Sequence, residues 1–176
     1  MKTLHLFIIT AFLLLSFTGS AQHKDDLKLI KDANKAIETL RSTQPKLNTY
    51  FDQATGYVVF PNVGKGGFIV GAAAGNGVLY ENNRPVGMAD LKKINLGFQA
   101  GGQAIIEVIF FEHEDALREF KSGSYQFSAE ATAVALKSGV AIDAKYKDGV
   151  AVFTLPKAGL MADITIGGQK FSFKAF

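Results

Sequence analysis

The chain contains no cysteine. That excludes disulfides, thiolate metal sites, a thiol nucleophile and lipid attachment through a processed cysteine, so packing alone must hold the fold. Histidine is scarce too: His5 and His23 lie near the N-terminus, which leaves His113 as the one histidine in the body of the chain. There is no strong excess of one charge. The formal net charge is +3, or +2 once Lys2 is removed by processing (3 − 1 = 2), too mild to argue for nucleic acid. A long hydrophobic run is missing as well, because residues 6–17 fall short of the roughly 17–25 apolar residues of a spanning helix.

What stands at the N-terminus instead reads as a secretory signal. Lys2 precedes the apolar run, and Gly19 and Ala21 fit the small-residue positions of a cleavage site. Residues 1–21 are therefore expected to be removed, leaving 22–176, an exported protein of the periplasm or cell envelope that is not a lipoprotein. An uncleaved anchor is the alternative. The remaining 155 residues (176 − 21) suit one domain, with a helical part over 25–52 and a β-rich part over 56–176.

From Asp25 the pattern is helical. Leu27, Ile30, Ala33, Ile37 and Leu40 recur at three- and four-residue steps and are expected to face inward, with Asp25 or Asp26 as the cap. Lys24, Lys28, Lys31 and Lys35 fall on the opposite face, forming one basic edge. A shorter helix is expected after Pro45, with Leu47, Tyr50 and Phe51 turned inward.

Beyond Gly56 the period drops to two, which predicts antiparallel strands. YVVFP reads as a strand ending at Pro61, and Asn82-Asn83 as the turn of a hairpin. One helix interrupts the sheet at FFEHEDALREFKSG, with Ala116, Leu117 and Phe120 on one face, Glu114 pairing with Arg118, and Gly123 as the stop. Turns at 147–149 and 167–168 suggest a continuous meander. The fold class is thus α+β, a single domain whose curved, mostly antiparallel sheet, open or curled into a barrel, carries about three helices.

Chemistry is sparse in this pattern. PNVGKGGFIVGAAAGNGVLYE studs glycines around Lys65, yet a phosphate loop requires GxxxxGK[ST] followed by a helix, and here β-branched and aromatic residues follow. The glycines read instead as bends and close approaches within a sheet. His113 has no partner at metal or triad spacing and reads as a surface helix residue. Glu107 and Glu130 occupy strands and offer a route to acid and base work, against the simpler reading that both face solvent. No catalytic residue, metal site or cofactor is assigned.

YVVFPNVGKGGFIVGAAAGNGVLYE, LGFQAGGQAIIEVIFF, FKSG and GVAVFTLPKAGLMADITIGGQKFSF, in that order, resemble the SYLF domain over about residues 56–174. The resemblance implies a lipid-binding module without catalysis. Eukaryotic members are associated with phosphoinositide-containing membranes and yeast relatives with actin filaments, whereas the secreted bacterial members have no firmly assigned activity. This chain carries no zinc-binding or proline-recognition domain, and KAGLM stands where KGGLM is common. Export puts actin out of reach, so the expected partner is an anionic phospholipid surface, with an envelope protein as the alternative.

Four lysines near such a surface offer about 4 kcal/mol at low salt, a weak grip lost as salt rises. Firmer attachment needs apolar side chains to insert. The first helix either releases its apolar face on docking or stays packed with a solvated charged face. Lys65 in GKGG and Lys157 in PKAGL are secondary head-group candidates.

Overall fold

The computed structural model describes residues 18–64, 72–94, 104–123, 126–127, 134–136, 145–157 and 169–176. Helix α1 spans Thr18–Thr43 and α2 Leu47–Gln53, and strands β1 Gly56–Val63, β2 Ala72–Glu81, β3 Arg84–Ile94 and β4 Ile105–Phe111 follow. Helix α3, Glu114–Lys121, precedes β5 Gln126–Phe127, β6 Val134–Ala135, β7 Val150–Pro156 and β8 Gln169–Ala175. The single α+β domain expected from the sequence is present, with three described helices and six long antiparallel strands in an open sheet.

The β1–β3 segment follows local rules. Asn82 and Asn83 both have positive φ (51° and 61°), the type I′ geometry that matches the twist of a hairpin, and asparagine tolerates it. Strand β1 does not stop at Pro61, as the sequence suggests, but continues to Val63. Its register with β4 shifts between Phe60 and Val63, so the proline, which lacks an N–H, sits in a bulge where no ladder donor is needed.

The strand order β5-β8-β3-β2-β1-β4-β7-β6 replaces the expected continuous meander. The sheet grows from β1 in both directions: β2 and β3 extend one side, β4 and β7 the other, and β8 returns to pair with β3. Turn residues specify hairpins, but they do not specify to which edge a longer connection returns.

Two cores result, one on each side of the sheet. Helices α1 and α2 cover the outer face through Ala33, Ala36, Leu40, Leu47 and Phe51 against Val59, Val78, Tyr80 and Phe110. As expected, Pro45 introduces α2, and Leu47 and Phe51 are buried, each worth about 1.5–3 kcal/mol of apolar transfer. Arg41 locks α1 to α2, donating to Asn48 Oδ1 at 2.7 Å and lying 4.4 Å from the centre of the Phe51 ring. The inner face packs Phe60, Leu91, Ile109, Phe111 and Phe171 against Leu117 and Phe120 of α3. Gly77 makes room there, since a Cβ at this position would lie 2.6 Å from the Phe60 ring.

Several local expectations require correction. Helix α1 begins at Thr18, so Asp25 and Asp26 lie inside it and neither caps it. Of the face expected to turn inward, Ala33 and Leu40 are buried and Ile30 and Ile37 are half-buried against the outer core, joined by Ala36 and Leu29, whereas Leu27 is 53% exposed. In α3, Arg118 pairs with Asp115 rather than Glu114. His113 is exposed, as expected, but stands before the helix rather than in it: from extended backbone its Nδ1 accepts a hydrogen bond from the Ala116 N–H at 3.3 Å, capping α3. Gly123 stops that helix at φ 72°, as the sequence suggests.

Candidate functional site

At 3.6 residues per turn, Lys24, Lys28, Lys31 and Lys35 fall on the side of α1 opposite Ala33, Ala36 and Leu40. All four are exposed. The basic edge read from the sequence is therefore an outward stripe, and Leu27 borders it. The helix keeps this orientation because its inner side is committed: Ala33 and Ala36 pack on the sheet, and the Tyr80 hydroxyl donates to Asn34 Oδ1 at 2.7 Å. Burial, with a further contribution from neighbouring Tyr57, raises the Tyr80 pKa well above the ordinary tyrosine value.

Two adjoining grooves lie along α1, with Leu29, Asp32 and Asn76 lining both, and their remaining charged residues distinguish them. The first, about 1000 Å³, lies against β3 and β8 and contains Leu27 and Phe176, the two exposed large apolar side chains among the described residues. Its charged lining is Asp25, Asp26, Asp32 and Asp90 against Lys28 and Lys174, a formal −2 (−4 + 2). The second, about 820 Å³, lies against the ends of β1, β4 and β7. Its charged lining is Lys35 and Lys157 against Asp32, a formal +1 (+2 − 1). An anionic group fits the second groove and is repelled by the first.

The structure thus brings Lys35 together with Lys157, two residues far apart in sequence. Lys157 is exposed and donates to Asn62 Oδ1 at 3.4 Å. Lys65 lies outside the described residues, as does Glu130. The sequence reading missed Thr39, Thr43 and Asn62, which line the groove beside these lysines. A signal existed for the helical pair, since Leu29, Asp32, Ala36, Thr39 and Thr43 recur at three- and four-residue steps, but it is masked by the lysine stripe beside it.

Glu107 does not face solvent. It is fully buried on the inner face of β4, opposite Thr154 of β7, because the sheet curls around that face. The Thr154 hydroxyl, also fully buried, finds no hydrogen-bond partner among the described residues. No group of three or more potential metal ligands occurs among the described residues, and no described helix is long and apolar enough to cross a membrane.

The sequence is similar to that of a bacterial protein. It is 31% identical over 155 aligned residues to "Beta cell expansion factor A" of Aeromonas veronii. The alignment covers 82% of this chain and 58% of that relative, so the chain spans less than two thirds of the relative's length. No family model matches the chain. The name of that relative specifies no ligand, so the chemistry of α1 and its grooves is the guide to what this chain binds.

Proposed function

We propose that the protein is a non-catalytic module of the bacterial cell envelope that docks on anionic lipid surfaces through the outward stripe of α1. The observation that carries this reading is the placement of Lys24, Lys28, Lys31 and Lys35, all exposed among the described residues, along one face of α1, with exposed Leu27 at its margin. Head-group attraction supplies the lysine contribution, and Leu27 adds a shallow apolar contact. The helix stays packed while it docks, since releasing Ala33, Ala36 and Leu40 would expose the outer core. The resemblance to the SYLF domain, whose members are associated with lipid membranes, supports the same ligand class. The signal-like N-terminus supports export to the envelope, which puts actin out of reach.

The test is cosedimentation of the protein with neutral and anionic vesicles across a salt series, beside a Lys24→Glu, Lys28→Glu, Lys31→Glu variant. Binding confined to anionic vesicles, weakened by salt and lost in the variant, supports the reading. Absence of binding at low salt overturns it and favours a protein partner in the envelope.

A further inference from the structure

The groove between α1 and the ends of β1, β4 and β7 has a second use that the stripe does not require. One wall is the face of α1 from Leu29 to Thr43, about 21 Å long at 1.5 Å per residue. Ile106 and Leu155, paired across β4 and β7, together with Ala36 and Leu29, provide an apolar floor. Lys35 on one wall and Lys157 on the other are the cations that line it, and Thr39, Thr43 and Asn62 add polar groups. Its volume of about 820 Å³ is within the range of sites that enclose a small ligand.

We propose that this groove binds one single-chain amphiphile with a monoanionic head, of which a fatty-acid carboxylate is the simplest. The head sits between Lys35 and Lys157, where two ammonium groups meet it from opposite walls, and the chain lies over the apolar floor. The length agrees, because an acyl chain spans about 15 Å in one bilayer leaflet, half of a hydrocarbon core of about 30 Å. The charge agrees as well: Asp32 reduces the lining to +1, matching a single negative charge and opposing a dianion. The apolar floor disfavours a free inorganic anion, which gains nothing from it. The inference takes only its ligand class from the lipid reading above. Its residue Lys157 lies apart from the stripe.

The experiment is calorimetric titration of the full chain with laurate below its micellar concentration. Dodecyl maltoside serves as the neutral-headed control of equal chain length and acetate as the chainless control. Saturable one-to-one laurate binding is expected, at least about 10-fold tighter than the maltoside, with no heat from acetate. Lys157→Gln should weaken laurate about 5-fold or more while leaving vesicle cosedimentation unchanged. The converse is expected of Lys28→Glu, which belongs to the stripe and not to this groove. Equal affinity for laurate and maltoside, no laurate binding, or an unaltered Lys157→Gln variant each overturn the site. Laurate binding by a protein that ignores vesicles retains the groove and removes the surface reading.

Discussion

The rings of Phe60 on β1 and Phe171 on β8 lie 5.9 Å apart, although β2 and β3 separate their strands in the sheet. Three strand spacings in a flat sheet would put them about 14 Å apart. The sheet therefore curls around its inner face, and Phe120 of α3 closes the cluster at 5.5 Å from Phe171 and 5.0 Å from Phe111. This curvature buries Glu107 and leaves α1 on the convex outside.

Close packing at this curl predicts a coupled pair of substitutions. Gly77→Ala should destabilise the protein by about 1–3 kcal/mol, because its Cβ would meet the Phe60 ring and the Val59 carbonyl. Phe60→Leu should relieve part of that clash. Denaturant midpoints of the two single variants and the double variant therefore should not add; strict additivity would contradict the described contact.

Thr154→Val should be neutral or stabilising by about 1 kcal/mol, because it replaces a buried hydroxyl lacking a described partner with a methyl group of the same shape. Thermal unfolding measures this directly. A loss above about 2 kcal/mol would show that the hydroxyl is satisfied in solution.

His113→Ala should cost about 1 kcal/mol by removing the cap of α3, and His113→Asn should restore most of it. Chemical denaturation of the three proteins tests the ranking. Equal stability of the alanine and asparagine variants would rule out a capping role.

Alkaline pH should unfold the protein through its tyrosines. Burial, then neighbouring Tyr50 and Glu112, pushes Tyr146 up to about 12, and burial raises Tyr80 and Tyr57, the latter against a lowering by Arg41. The unfolded chain releases these protons first, near the ordinary tyrosine value of about 10, so it binds fewer protons than the folded chain above that pH. The contribution of these tyrosines to stability should be constant below about pH 10 and fall toward pH 12, with Tyr80→Phe reducing the slope. A flat alkaline limb in pH-dependent denaturation would contradict the burial of these phenols.

The sequence by itself determined the local elements. A proline before Leu47, an asparagine pair at 82–83 and a glycine at 123 set one helix start, one turn and one helix stop, since each acts through the dihedral angles of its own residues. It also determined the lysine stripe, which follows from spacing along one helix. Only the tertiary structure decided how far along α1 that face is covered: Ile30, Ala33, Ile37 and Leu40 pack on the sheet, whereas Leu27, on the same periodic pattern, is left 53% exposed. The same holds for Glu107: alternation along β4 puts it on one face, and only curling decides that this face is dry. The meeting of Lys35 and Lys157 likewise required β7 to pair beside β4, a long-range choice that residue types near either lysine do not encode.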